Sequence, residues 1–459
     1  MQQSQHQPKW LDMGELKKLL MLTVPLYIAN LMHMGMGVVD TIVAGQAGTG
    51  ELAAVALGVS VAAPVTIAVS MVLSIVGPIV SRYRGAGYES KVGLLLNNAR
   101  YAAAVLLVVM LLALYLASFA FSVVTDDVLL AEKARQYVYY IMLGTPAVLL
   151  MRIAQGNFEG FGQTRPAMVI SLLGVLVNIP LDFVFVFGWG AFPALGGPGC
   201  GLATALIQWL MCLGMYVLLF CSRHRIRTRQ MWTMRGMEGS LVRAIFRLGI
   251  PLGVASLCEM TFFSAVVLVI APLGELMVSA QQVAINVSGV IFMLPLSLGI
   301  AGSIRASYHL GAGNAGAFDA MVRTLLVLAL VLVSLFMLLT LLFRQEIVAL
   351  YTESAPVIAT ATVLLFYCAV YQIPDALQVI MSGLLRGCHD TTIITWVSLG
   401  SYWLVGFPLS CILIRTDWIV PAMGPAGAWI SFIVALSIAA VFFTMRFLRT
   451  RRSIFSSEH

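Results

Sequence analysis

Long stretches without a single charge constrain this chain more than any other feature. None occurs in Leu52–Ser81, Tyr101–Thr125, Phe183–Ser222 or Leu276–Ile304. About 20 apolar residues are enough for a helix to cross the hydrocarbon core of a bilayer. A transmembrane barrel would instead alternate apolar and polar residues in strands of about 10, and this chain does not. Composition agrees: 60% of residues are hydrophobic and 10% charged, where a soluble domain carries roughly a quarter. A water-soluble enzyme and a disordered chain are both excluded.

Counting apolar runs predicts an all-α integral membrane protein with twelve spans. They fall near 17–43, 52–80, 98–122, 136–157, 166–188, 201–222, 246–271, 277–304, 323–343, 355–385, 392–414 and 423–446. The Phe183–Ser222 stretch exceeds one span, and the glycine- and proline-rich Gly188–Gly201 divides it with a turn. Basic residues set the orientation. Of 27 Lys and Arg, only Lys133, Arg135, Arg344 and Arg415 fall on the outer side when the N-terminus is cytoplasmic. The other 23 sit on the inner side or, like Arg152, near an inner helix end, which is the positive-inside pattern. Both termini are therefore expected in the cytoplasm. The polar start MQQSQHQPKW precedes an apolar run too long for a signal peptide, so the first span is expected to stay in the protein.

The chain resembles itself at an offset of 226–227 residues. Pro25, Ala54, Ser81 and Gly85-Ala86-Gly87 match Pro251, Ala280, Ser307 and Gly311-Ala312-Gly313. Gly156, Gly160 and Thr164 match Gly383, Gly387 and Thr391, and Gly197-Pro198 matches Gly424-Pro425. Six spans per half is even, so the halves are parallel repeats related by an axis along the membrane normal. Secondary transporters are built this way, with two lobes rocking about a central site. The expected organisation is a cytoplasmic tail (1–15), an N-lobe (16–222), a basic linker (223–245), a C-lobe (246–448) and a second cytoplasmic tail (449–459). Seven arginines between Arg223 and Arg247 suit a loop facing lipid headgroups. They do not suit nucleic acid, since only Trp232 and Phe246 interleave them.

Of the 20 acidic residues, four lie inside predicted spans: Asp40, Asp182, Glu259 and Asp375. A carboxylate at bilayer depth costs at least about 2.5 kcal/mol and is by default functional. Glu259 lies about 18 Å along its helix from Arg247, and Asp375 about 16 Å from Arg386, at 1.5 Å per residue. Both reach mid-membrane in the second half. Asp40 and Asp182 lie farther out in the first half, so two separate sites are expected. Asn178 shares a helix face with Asp182, with Pro180 between them freeing a backbone carbonyl. Asp375 follows Pro374, with Tyr371 one turn away, and Phe263 stands one turn from Glu259 where its ring could assist a cation. Oxygen ligands of these kinds suit a hard cation such as sodium. The same desolvated carboxylates could instead take and release protons. The repeat provides a control, because scaffold positions recur whereas charged ones do not. Asp40 maps to Val266, Glu259 to His33, and Asp375 to the neighbourhood of Pro146.

Other chemistries lack their motifs. The seven cysteines show no C-x-x-C pair, so no transition-metal site is expected and they read as small apolar residues. His33 lies within a span and reads as a histidine satisfied inside the bundle. No G-x-x-x-x-G-K-[ST], H-E-x-x-H or G-x-S-x-G occurs, so neither ATP hydrolysis nor hydrolase chemistry is expected. No filter-like loop supports a channel. The chain is not expected to be an enzyme or to carry a cofactor.

Several segments resemble one family along the whole chain. They are Gly156-Asn157-Phe158-Glu159-Gly160-Phe161-Gly162-Gln163-Thr164-Arg165-Pro166, Asn178-Ile179-Pro180-Leu181-Asp182, Gly197-Pro198, and Arg386-Gly387-Cys388-His389-Asp390-Thr391. With Pro25 and Asp40 in the first span and twelve spans in all, the chain resembles the multidrug and toxic compound extrusion (MATE) transporters, above all their NorM branch. The resemblance implies antiport: export of bulky, mostly cationic organic compounds, hence antibiotic resistance, driven by sodium and/or protons through alternating access of the two lobes. It implies an N-lobe cation or proton site at Asp40, Asn178, Asp182 and Thr204, and a C-lobe site at Glu259, Tyr371 and Asp375. Ser60 and Gln282, with Asp40, are the weaker candidates for substrate contact. Where relatives carry paired acids at the outer end of the tenth span, this chain has Glu353-Ser354. The implied setting is a bacterial inner membrane, with a monomer as the expected state and the lipid bilayer as the macromolecular partner. The rival readings are a flippase of the same superfamily for lipid-linked precursors and, further off, a channel. A flippase would line its cavity with basic residues to hold a diphosphate, whereas these spans carry carboxylates.

Overall fold

The computed structural model describes residues 11–190, 192–221, 236–418 and 420–456. Twelve helices in it are long and apolar enough to cross a membrane. They are α1 (Met13–Ala47), α2 (Thr49–Gly85), α3 (Glu89–Val123), α4 (Val128–Gly160), α5 (Arg165–Phe187), α6 (Pro198–Cys221), α7 (Gly239–Leu273), α8 (Glu275–Gly311), α9 (Ala315–Leu342), α10 (Ala355–Gly387), α11 (Thr392–Arg415) and α12 (Pro425–Phe455). The protein is a multi-pass, all-α membrane protein. Among the described residues extended pairing is limited to one isolated bridge, Trp189 to Phe192.

Most helices overrun their expected spans by a few residues, and polar caps start three of them beyond the apolar core. Asp12 Oδ1 accepts the N–H groups of Gly14 and Glu15 at 2.8 and 3.1 Å, starting α1. Asp127 caps α4 through Leu129 and Leu130, and Asn314 caps α9 through Ala317. Such caps satisfy donors that the helix leaves open. Helix structure continues to Ser456, where a tail was expected from 449. Arg451 pairs there with Asp319, and Arg446 and Thr450 hold Asp390. Of the expected linker 223–245, residues up to 235 lie outside the described residues, and α7 already begins at Gly239.

The described residues form two compact units, Pro25–Gly253 and Met1–Val24 with Val254–His459. The division falls inside α1 at Pro25 and inside α7 at Gly253, not in the linker. Pro25 and Pro251, mates in the repeat, stand near these two crossings.

The repeated glycines have the same physical role in each unit. In Pro25–Gly253, Gly156 and Gly160 of α4 lie against α2, where a Cβ on Gly160 would sit 2.5 Å from Val80. In the other unit, Gly383 and Gly387 of α10 lie against α8, where Cβ atoms would sit 2.4 Å from the Gly299 carbonyl and 2.6 Å from that of Ser303. Small residues four apart let helix backbones approach closely in lipid. The paired GAG segments also end alike, with Gly87 and Gly313 at φ of 76° and 63°. That left-handed conformation closes α2 and α8 and favours glycine.

The aromatic interior of the second unit gathers Phe262, Tyr371, Tyr402, Trp429 and Phe432. Tyr402 enters it from a π-helical stretch, Leu399–Gly406, inside α11. Such widened turns turn a side chain off the regular helical face. Among the described residues no disulfide joins any of the seven cysteines.

Candidate functional site

The four intramembrane carboxylates fall into two groups, one in each unit. In Pro25–Gly253, α1 contributes Asp40, α5 contributes Asn178 and Asp182, and α6 contributes Thr204. Positions four apart share a helix face, and this brings Asn178 and Asp182 together. Asn178 Nδ2 donates to Asp182 Oδ2 at 3.0 Å and to Asp40 Oδ1 at 3.4 Å. Thr204 Oγ1 donates to Asp40 Oδ2 at 3.0 Å. Asp182 is wholly buried, and Asp40 is 5% exposed.

This group holds more acceptors than donors. Asp182 Oδ1 and Asn178 Oδ1 are buried without a hydrogen-bond partner. Two carboxylates in a dry site require a counter-charge if both are to ionise, and a buried acceptor left unpaired is costly. Either a proton or a metal cation would satisfy the arrangement.

Two neighbours carried no signal in the sequence. Tyr137 of α4 is 3% exposed and within electrostatic range of Asp40, Asp182 and Cys200. Its ring fits because Gly58 and Gly201 have no side chains; Cβ atoms there would come within 2.4 and 2.9 Å of Tyr137 atoms. Cys200 Sγ donates to the Asp40 carbonyl at 3.6 Å. A tyrosine and a cysteine on apolar helices otherwise read as packing.

In the second unit, Asp375 and Tyr371 are 2% and 4% exposed and lie one turn apart on α10. Tyr371 and Glu259 of α7 both face Asp375. A small cavity is lined by Ser288, Phe292, Pro295, Tyr371, Gln372 and Asp375. Asp375 Oδ1 is buried without a partner. Tyr402 and Gln378, neither expected from the sequence, extend the group. Gln378 Nε2 donates to Tyr402 Oη at 2.9 Å, and Tyr402 is within electrostatic range of Glu259 and Asp375. The π turn of α11 is what delivers Tyr402, and no sequence pattern marks it. Phe263 packs its ring edge-on to Phe432 at 4.7 Å, within the aromatic interior beside Glu259.

The remaining candidates stand apart. Ser60 lies on an exposed face of α2 and bonds its own helix at Leu57 O. Gln282 lies on an exposed face of α8 and donates to Asn286 Oδ1 at 3.2 Å. Its neighbour Gln281 is buried and accepts from Trp429 Nε1 at 3.0 Å.

Comparison with known proteins places this arrangement in context. The family model MatE matches residues 25–184 and 251–412, once in each half of the repeat. The chain is 36% identical over 433 residues to the multidrug resistance protein MdtK of Edwardsiella ictaluri (strain 93-146), covering 94% of this chain and 95% of that one. It is 37% identical over 435 residues to MdtK of Yersinia pseudotuberculosis serotype O:1b (strain IP 31758), with the same coverage. Its fold matches the crystal structure of the eukaryotic MATE transporter AtDTX14 with a TM-score of 0.86 at 21% identity, over 97% of this chain and 99% of that one.

Proposed function

The chain belongs to the MatE family and is a multidrug efflux transporter, and from that premise we propose that it is an antiporter of the NorM branch. In this reading it exports bulky, mostly cationic organic compounds in exchange for sodium or protons. It does so as a monomer in a bacterial inner membrane, with both termini cytoplasmic and the lobes 16–222 and 246–448 alternating access. It uses neither ATP nor a cofactor.

The observation that carries the coupling is the pair of carboxylate groups, each buried with an acceptor oxygen left unpartnered. Asp40, Asn178, Asp182 and Thr204 form one cation or proton site. Glu259, Asp375 and Tyr371 form the other, with Phe263 beside it. A cation bound there drives export only by binding two conformations with different affinity, and the linkage between cation and drug is reciprocal. Asp40, Ser60 and Gln282 are the residues proposed to meet substrate.

The test is ethidium efflux from vesicles holding the purified protein, under an imposed sodium gradient and then an imposed pH gradient. Efflux that follows a gradient supports the reading and names the ion. No response to either contradicts it and redirects attention to a flippase activity.

A further inference from the structure

The contact between α1 and α5 repeats itself one heptad below the Asp40–Asn178 hydrogen bond. His33 Nε2 lies 3.2 Å from Ser171 Oγ. His33 precedes Asp40 by seven residues, and Ser171 precedes Asn178 by seven, so each pair shares a helix face with the one above it. Two turns separate the rungs, about 10 Å along the axis at 1.5 Å per residue. Between them on α1 lies Gly37, which is exposed, and a Cβ there would meet no atom within 4 Å. A column of polar groups therefore runs from the buried Asp40–Asp182 pair toward the end of the helix where α1 begins, with an open rung in its middle.

The repeat gives the lower rung a second meaning. At an offset of 226, His33 occupies the position that Glu259 holds in the other half. Both halves thus carry a titratable side chain at this depth of their first helix, although the residue type differs. Histidine is the side chain whose ordinary titration range includes neutral pH. Ser171, wholly buried, engages one ring nitrogen and leaves Nδ1 as the position for a passing proton. The charged group facing His33 from the neighbouring helices is Arg152 of α4, whose Nη1 lies 3.4 Å from Gln155 Oε1.

We propose that His33 is a proton-transfer residue of the first lobe, carrying protons between the Asp40–Asp182 pair and the side of the membrane where α1 begins. This rests on the proton arm of the function proposed above. In the release step a carboxylic O–H at the pair breaks, and its proton crosses the open rung at Gly37 through water. An N–H forms at His33 Nδ1, leaving a carboxylate and an imidazolium. The imidazolium then gives that proton to water reaching it from the side where α1 begins, and the neutral ring is restored. Ser171 is a positioning residue that holds the ring in the column.

The experiment compares wild type, H33Q and H33E in vesicles. It reads pH-gradient-driven ethidium efflux as a function of pH, and ethidium binding. Glutamine keeps a partner for Ser171 but cannot titrate; glutamate can. The expected result is efflux at least about tenfold slower in H33Q, in line with the usual contribution of a positioned proton carrier, with ethidium affinity within about twofold of wild type. H33E is expected to restore proton-driven efflux, with its pH profile displaced to lower pH because a carboxyl ordinarily titrates below an imidazole. A merely structural histidine would predict equal profiles for wild type and H33Q, or loss of binding in both variants; either result overturns the inference while leaving wild-type coupling intact. Wild type that responds to sodium alone overturns the inference together with the proton arm of the proposed function.

Discussion

The Asn178 amide donates to the Asp182 carboxylate at 3.0 Å, one turn further along α5. The same nitrogen reaches Asp40 on α1 at 3.4 Å. One neutral donor therefore joins the two acids of this group, and it is the point at which the group is most sensitive to a small change. Replacing Asn178 with Ala removes both hydrogen bonds and leaves Asp182 without the donor it has here. Efflux driven by the coupling ion is expected to fall by at least about tenfold, while the amount of protein in the membrane stays near wild type. Ethidium efflux normalised to membrane protein checks this. Wild-type efflux from N178A would mean the bridge has no part in coupling.

The second group yields a sharper test, because its acids are replaced without changing shape. E259Q and D375N keep the size of each side chain, exchange one acceptor oxygen for an amide donor and delete the charge. Each variant is expected to insert normally and to lose drug resistance in cells. Resistance at wild-type level in both would remove Glu259 and Asp375 from the mechanism.

Close helix packing predicts a stability effect that is independent of transport chemistry. A Cβ on Gly383 would stand 2.4 Å from the Gly299 carbonyl, so G383V forces α8 and α10 apart. Overpacking of this kind costs about 1–3 kcal/mol, and the variant is expected to melt at lower temperature in detergent. A Cβ on Gly35 meets nothing within 4 Å, and G35A is expected to match wild type or exceed it, since alanine is the better helix former.

Glu15 and Arg305 form a bidentate ion pair within the second unit. Arg305 Nε donates to Glu15 Oε2 at 3.0 Å and Nη2 to Oε1 at 2.6 Å, while His309 lies 2.9 Å from Nη2. The two side chains are 5% and 8% exposed as residues. Removing one partner of a buried pair typically costs about 3–5 kcal/mol, whereas replacing both with apolar groups is often tolerated. E15Q is therefore expected to lower the melting temperature more than the double replacement E15L/R305M. The opposite order would show that the pair contributes net stability beyond satisfying itself.

The legible part of this protein is the part written in hydropathy and repetition. The twelve spans follow from charge-free runs, and the repeat could be read because Gly156, Gly160, Gly383 and Gly387 sit where backbones nearly touch. The carboxylates stood out because charge is rare in lipid. Asn178 could be linked to Asp182 because four residues make one helical turn. Gln378, one turn from Asp375 on α10, was within reach of the same rule, whereas Tyr137, Tyr402 and Cys200 stayed invisible for the converse reason. They reach the acids through tertiary packing, and a tyrosine or cysteine on an apolar helix has no pattern that separates contact from filling. The π turn at Leu399–Gly406 is equally silent, since nothing in its sequence LGSYWLVG marks a change of helical period. The Glu15–Arg305 pair joins residues 290 positions apart, too far for any local rule. Ser60 and Gln282 illustrate the opposite limit, since the resemblance proposed their roles and their local hydrogen bonds neither add to nor subtract from it.

The central claim is that the buried carboxylates link drug movement to cation movement in the opposite direction. Linkage must run both ways, so the most direct measurement imposes a drug gradient and reads the ion. Vesicles holding the purified protein are given an ethidium gradient with no gradient of sodium or protons, and the flux of each ion is followed. The account predicts sodium or proton movement against the direction of ethidium, absent in the doubly neutralised variant E259Q/D375N. Ethidium movement with no accompanying ion flux, or ion flux unchanged in that variant, would contradict it.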